Sequence, residues 1–258
     1  MRSLHIRKAP RDGEVAGADI IYGAHPVEAV LANPKRTVSR LWATKNALDR
    51  LKERISELPV EPEVVHPRSL DSRLGADAVH QGLLVEAAPL PQPKLDEIAR
   101  EGIVVLLDQV TDPHNVGAIL RSCAAFAVSA VVTTARHSAE TSGVLFKAAS
   151  GATELVPFVK VTNLARAMEE LKSYGFHIAG LEGSAARSIE SAKLKRPLAL
   201  AIGAEGKGLR HLTRQTCDEL VRLDLPGPIK SLNVSNACAL ALYAVSRPDE
   251  PQTKADRL

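Results

Sequence analysis

Apolar positions recur along the chain with two periods, and each marks a different element. In the first third, order begins at Ile20-Ile-Tyr-Gly23, and a helical stretch runs through Pro26–Leu31, with proline near the helix start where its missing N–H is tolerated. The pattern predicts a strand over Val38–Ala43, an amphipathic helix over Ala47–Leu58, and short strands at Val64–Val65 and Leu83–Ala87. This is the outline of a small α/β domain. Ala88-Pro-Leu-Pro-Gln-Pro-Lys94 then places three prolines in five residues, a stiff extended connection.

Beyond the prolines the pattern changes. Ile103-Val-Val-Leu-Leu107 and Leu198-Ala-Leu-Ala-Ile202 are continuous apolar runs, as expected for strands covered on both faces. Between and around them strands are predicted at Ala130–Thr133, Leu155–Val161 and His177–Ala179, and helices at Asn115–Phe126, Gly143–Ala149, Leu164–Tyr174 and Ser231–Val245. The alternation predicts a mostly parallel sheet with helices on both faces, where ligands bind at the carboxyl ends of strands. The predicted organisation is a disordered basic arm (1–16), an N-terminal domain (17–88), a Pro-rich linker (89–97), a larger α/β domain (98–247) and a disordered tail (248–258).

Composition narrows the function classes. The chain of 258 residues carries 33 Lys+Arg against 30 Asp+Glu, a mildly basic balance that permits contact with nucleic acid without demanding it. No run approaches the length of a membrane span and the start lacks a secretory signal, so a cytoplasmic protein without membrane contact is expected. Cys123, Cys217 and Cys238 are too few and too scattered for a disulfide framework or a metal knuckle, and read as buried reduced thiols. The histidines have no metal-ligand spacing, so no metal is expected. Aromatic residues make up only 3%, which argues against base stacking as the main mode of RNA recognition, and Trp42 reads as core.

Three constellations could carry chemistry. In Leu107-Asp-Gln-Val-Thr-Asp-Pro-His-Asn-Val-Gly-Ala-Ile-Leu-Arg121 a strand meets a polar turn and a helix. Asn115 sits where an N-cap is expected, and the missing side chain at Gly117 leaves the Arg121 guanidinium a path toward it. In Leu200-Ala-Ile-Gly-Ala-Glu-Gly-Lys-Gly-Leu-Arg210 a buried strand enters three glycines around Glu205. The spacing is that of neither a P-loop nor a dinucleotide fingerprint, which excludes the commoner ATPases and oxidoreductases. In Leu225-Pro-Gly-Pro-Ile-Lys-Ser-Leu-Asn-Val-Ser-Asn236 a proline turn leads to a helix start crowded with Ser231, Asn233, Ser235 and Asn236, more polar groups than capping needs.

In this order, the three resemble the motifs of the SpoU (TrmH-type) RNA ribose 2′-O-methyltransferases of the SPOUT superfamily, over roughly residues 98–247. Ile21–Leu31 and Gly203–Leu220 further resemble the group that modifies a guanosine of 23S rRNA, whose small N-terminal domain binds RNA. The resemblance implies a deep C-terminal trefoil knot, S-adenosyl-L-methionine as cofactor, and a homodimer with active sites near its interface. It implies an active-site set of Asn115, Arg121, Glu205, Ser231 and Asn233. Gly203, Leu223, Leu225 and Leu232 would hold the cofactor largely through backbone groups, and Ser150 falls near a further motif. The family usually leads into its third motif with Ile-Pro-Met, whereas Leu223-Asp-Leu225 stands here, with proline at 226. Within the family the alternative substrate is transfer RNA. A non-catalytic RNA-binding or ribosome-assembly protein would be expected to have lost the polar set.

Overall fold

A computed structural model describes residues 17–136, 138–139 and 142–246. The arm expected over 1–16 and the tail expected over 248–258 lie outside the described residues. The chain divides between Pro91 and Gln92 into two compact units.

The first unit is a four-stranded sheet, β1 (Asp19–Tyr22), β2 (Val38–Ala43), β3 (Glu63–Val64) and β4 (Leu83–Ala87), in the order β1-β4-β2-β3. Only the β2–β3 pair is parallel. Helices α1 (Ala24–Ala32), α2 (Lys45–Arg54) and α3 (Pro67–Leu74) complete it. Its core includes Ile21, Leu41, Leu51 and Trp42, the last buried as expected. The guanidinium groups of Arg40 and Arg73 lie 5.3 and 4.6 Å from the Trp42 ring centroid. Arg36 is buried, held by Asp19 at 2.8 Å and the Ala88 carbonyl.

The second unit is a parallel sheet of seven strands ordered β7-β6-β5-β10-β8-β11-β9. The strands are β5 (Ile103–Asp108), β6 (Ala130–Thr134), β7 (Phe158–Val161), β8 (His177–Leu181), β9 (Arg187–Ser188), β10 (Leu198–Gly203) and β11 (Glu219–Arg222). All pair in parallel. Strand alternation sends Ile103, Val105 and Leu107 of β5 to a core shared with α4 (Pro113–Ala125), α5 (Gly143–Ala149) and α8 (Val234–Ser246). Val104 and Leu106 go to the opposite core, built on α6 (Leu164–Ser173). A short α7 (His211–Thr216) packs on α6. The two apolar runs recognised in the sequence are thus β5 and β10, side by side in the middle of the sheet. Among the described residues no helix is long and apolar enough to cross a membrane.

Candidate active site

The adjacent strands β5 and β10 end together, with Asp108 paired in register with Gly203. Asp108 is fully buried, and a buried carboxylate must be compensated. Arg210 does this twice: its backbone N–H donates to Oδ2 at 2.8 Å and its Nε to Oδ1 at 2.6 Å. The clamp pins the end of the glycine loop to β5. A Cβ at Gly203 would lie 2.1–2.4 Å from the backbone of Gly208 and Leu209, so only glycine allows the loop to fold onto the strand it leaves. Sequence reasoning did not single out Asp108 or Arg210. The available signal was a carboxylate closing an otherwise apolar strand.

Between the two loops lies a cavity of about 660 Å³. Gln109, Thr111, Asp112 and Asn115 line one side, and Glu205 and Lys207 the other. Asn115 is not the N-cap. That position belongs to Asp112, whose Oδ1 accepts the His114 N–H at 2.9 Å. Because proline at 113 starts the helix earlier than the apolar period suggests, Asn115 lies within the first turn and its amide is free for other work. The helix expected from Ser231 begins instead at Val234, leaving Asn233 just before it and exposed Ser231 in the preceding loop.

The amides of Asn115 and Asn233 meet across 118 residues of sequence, and the network fixes their orientation. Asn233 Oδ1 accepts both the backbone N–H (2.9 Å) and the hydroxyl (2.6 Å) of Ser235. Its Nδ2 therefore donates to Asn115 Oδ1, at 2.9 Å. Asn115 is left with its NH₂ group, a donor, and the second lone pair of its Oδ1 at the wall of the cavity.

Arg121 departs from the sequence reading. Gly117 does not open a path for it: a Cβ there would meet Ala148 Cβ at 2.5 Å and the α5 backbone at 2.8–2.9 Å, so the glycine serves close helix packing. Arg121 is exposed and does not line the cavity. Six residues along α4, it lies about 120° around the helix from Asn115. Ser150 caps α5 in the left-handed conformation (φ 53°) and is also absent from the cavity wall.

The segment Asp224–Leu232 makes no backbone–backbone hydrogen bond among the described residues. Lys230 Nζ closes its turn on the Leu225 carbonyl at 2.6 Å. Where the family usually has proline, Asp224 accepts from Arg222 Nε at 2.9 Å, and Arg222 also donates to the carbonyls of Ala185 and Ala186. These bonds tie the segment at its entry without ring constraint. Half-buried Leu223, Leu225 and Leu232, in a segment whose main chain is not engaged by other backbone from Asp224 on, suit a ligand held by backbone atoms and apolar contact. This fits the adenosine end of S-adenosyl-L-methionine. Among the described residues no group of three or more His, Cys, Asp or Glu could hold a metal ion. Burial pushes the half-buried Cys217 thiol up to about 12, and the neighbouring Cys238 thiol together with burial raises Cys123 as well, so neither is poised as a nucleophile.

The comparisons cover both units. The profile of the SpoU rRNA Methylase family matches residues 102–243, and that of the RNA 2′-O ribose methyltransferase substrate-binding domain matches residues 20–93. The chain is 39% identical over 242 residues to the 23S rRNA (guanosine-2′-O-)-methyltransferase RlmB of Pseudomonas aeruginosa, covering 90% of this chain and 97% of that one. It is 40% identical to the protein of that name from Vibrio cholerae, covering 89% and 96%. The SpoU methyltransferase AviRb from Streptomyces viridochromogenes, solved with AdoMet, superposes with a TM-score of 0.76 at 22% identity over 90% of each chain. A tRNA-modifying TrmH/SpoU enzyme of A. aeolicus has a TM-score of 0.51 and 26% identity, over 56% of this chain and 73% of that one.

Proposed function

The chain belongs to the SpoU rRNA Methylase family, and from this we infer that it methylates a ribose 2′-hydroxyl of 23S rRNA, at a guanosine, with S-adenosyl-L-methionine as methyl donor. The observation that carries the reading is the Asn115–Asn233–Ser235 network, which presents a fixed pair of N–H donors at a cavity between the two strand ends. Identity to the named 23S rRNA enzymes along nine-tenths of the chain favours ribosomal over transfer RNA. The matching substrate-binding domain supports the same choice.

S-adenosyl-L-methionine, when bound, supplies an electrophilic methyl group on a sulfonium. The 2′-oxygen would take that methyl group as the neutral thioether leaves, and the hydroxyl proton would pass to a neighbouring RNA phosphate. Asn115 donates to the ribose 2′-oxygen, orienting it and stabilising the negative charge that proton removal leaves there before the C–O bond consumes it. Leu223, Leu225, Leu232, Ser231 and the Gly203 turn hold the cofactor, and Glu205 orients the bound groups from the opposite wall. Arg121 keeps its proton, as a guanidinium does, and binds an RNA phosphate that assists proton removal.

The exposed position of Arg121 gives a homodimer its reason. In a pair of chains, Arg121 of one copy serves the cavity of the other. Leu240 and Tyr243 of α8 are 48% and 54% exposed, and Phe126 at the end of α4 meets the Tyr243 ring edge-on, a patch suited to a second copy. The C-terminal trefoil knot and cytoplasmic location belong to the same reading.

The test is a map of ribose methylation across ribosomal and transfer RNA from cells with and without the gene, rescued by wild type or Asn115→Ala. The expected result is one guanosine mark in 23S rRNA that disappears and returns only with wild type. A lost transfer-RNA mark would replace the substrate, and no lost mark would overturn the reading.

A further inference from the structure

Four described residues other than glycine adopt a positive φ: Gln81, Gln109, Ala127 and Ser150. Three have local reasons. Gln81 accepts the Ala24 N–H at 3.0 Å in the turn before β4. Ala127 lies in the turn where Val128 N–H returns to the Cys123 carbonyl, and Ser150 caps α5. Gln109 closes no helix and its carboxamide has no partner among the described residues, yet it lines the cavity beside Asn115.

Strand alternation shows what the turn at Gln109 (φ 60°) does. Continued regularly, β5 would send residue 109 to the face of Ile103, Val105 and Leu107, into the core under α4 and α8. Instead Val110 occupies that core, 3% exposed. The left-handed step moves Gln109 out and brings Val110 in. Glycine would make the same step without the clash of Cβ with the following carbonyl. A long amide at a strained position, half-buried and facing the reaction cavity, needs a purpose that glycine could not serve.

We propose that Gln109 is a specificity-determining residue for the acceptor nucleotide: its carboxamide, thrown into the cavity by the left-handed step, hydrogen-bonds the polar edge of the target guanine. The carboxamide is both donor and acceptor, matching an edge that carries both. With aromatic residues so sparse, hydrogen bonding must do much of the base recognition here. The Asn115 network engages the ribose, so a base contact one strand-end away completes the nucleotide. The proposal rests on the methyltransferase reading above.

The test uses in vitro transcribed 23S rRNA carrying either the natural guanosine or adenosine at the mapped position. Wild type, Gln109→Gly and Gln109→Asn are assayed for kcat/KM on each RNA, with the Kd for S-adenosyl-L-methionine and Tm measured alongside. Gln109→Gly is expected to lower kcat/KM on the guanosine RNA by about tenfold and shrink the guanosine-to-adenosine preference by a similar factor. Cofactor Kd should be unchanged and Tm held or raised, since strain is relieved. Gln109→Asn keeps the amide and tolerates the left-handed conformation, and should retain more of the preference than the glycine variant. An unchanged preference in Gln109→Gly would overturn the assignment, as would a weakened cofactor Kd, which would place the side chain on the other ligand. Failure of wild type itself to methylate either RNA would instead overturn the functional reading on which the proposal stands.

Discussion

The NH₂ group of Asn115 has no partner among the described residues, and that defines its sharpest substitution. In Asn115→Asp the oxygen accepting from Asn233 is kept, while a carboxylate oxygen replaces the NH₂ proposed to donate to the ribose. We expect kcat to fall by about 10²-fold or more, with the Kd for S-adenosyl-L-methionine near wild type. Turnover within tenfold of wild type would contradict an oxyanion-stabilising role. The sequence pointed to this residue twice, as a member of the set that the resemblance implies and, from its local pattern, as a helix cap. The cap is Asp112, three residues earlier, and the pairing with Asn233 becomes visible only when chain segments 118 residues apart are brought together. Glu205 was legible because a carboxylate inside a glycine turn has few structural uses. Arg121 was legible as a candidate, but its direction was not, because the sequence does not show that α5 fills the space at Gly117.

At the scale of elements, that packing makes a second prediction. Gly117→Ala would drive a methyl group into Ala148 and the α5 backbone, forcing the helices apart. A loss of about 1–3 kcal/mol is expected in urea unfolding, together with lower activity, since α4 carries Asn115. Unaltered stability would show that the close approach is relaxed in solution. The β8–β11 junction gives a pH test. Burial alone would raise the Asp218 carboxyl, but the Ile178 N–H at 2.8 Å and the Lys172 ammonium at 3.0 Å outweigh it and hold it below the usual range. A carboxyl with a folded pKa below its unfolded one adds stability that is present above about pH 4 and lost as pH falls through the folded value. Asp218→Asn should therefore flatten the acid limb of stability as pH falls below about 4. A limb as steep as wild type would sink this.

Elements with clear periods were legible: β2, β4 and α5 have the bounds that the pattern gives. Those it missed, α3, α7, β9 and β11, are short and polar: β9 buries neither of its residues, and the others bury Leu70, Thr213 and Thr216, and Val221. Their formation depends on what they pack against. The strand expected from Leu155 starts only at Phe158, because Ala152–Glu154 forms a 3₁₀ turn and Leu155 is 73% exposed.

For the whole molecule, the proposed homodimer makes the strictest prediction. If Arg121 serves the cavity of its partner, mixing the inactive Arg121→Ala and Asn115→Ala proteins under exchange should restore activity. Each mixed dimer then holds one site with both residues intact, so recovery approaching a quarter of wild type is expected on a statistical mixture. Arg121 acting within its own chain would give no recovery. The order of strands was the least legible feature. Periodicity predicts a parallel sheet but does not say that β10 enters between β5 and β8, both made earlier.

That insertion bears on how the protein comes off the ribosome. Synthesis is vectorial, and β5 waits through some ninety residues of chain before its central neighbour β10 exists. Asn115 waits longer still, until Asn233 has emerged. A nascent chain can therefore carry a folded RNA-binding module long before it carries a competent catalyst. A product terminated after the first unit and before the last helix would be able to occupy the substrate without modifying it, so quality control of incomplete chains matters to this enzyme beyond their lost activity.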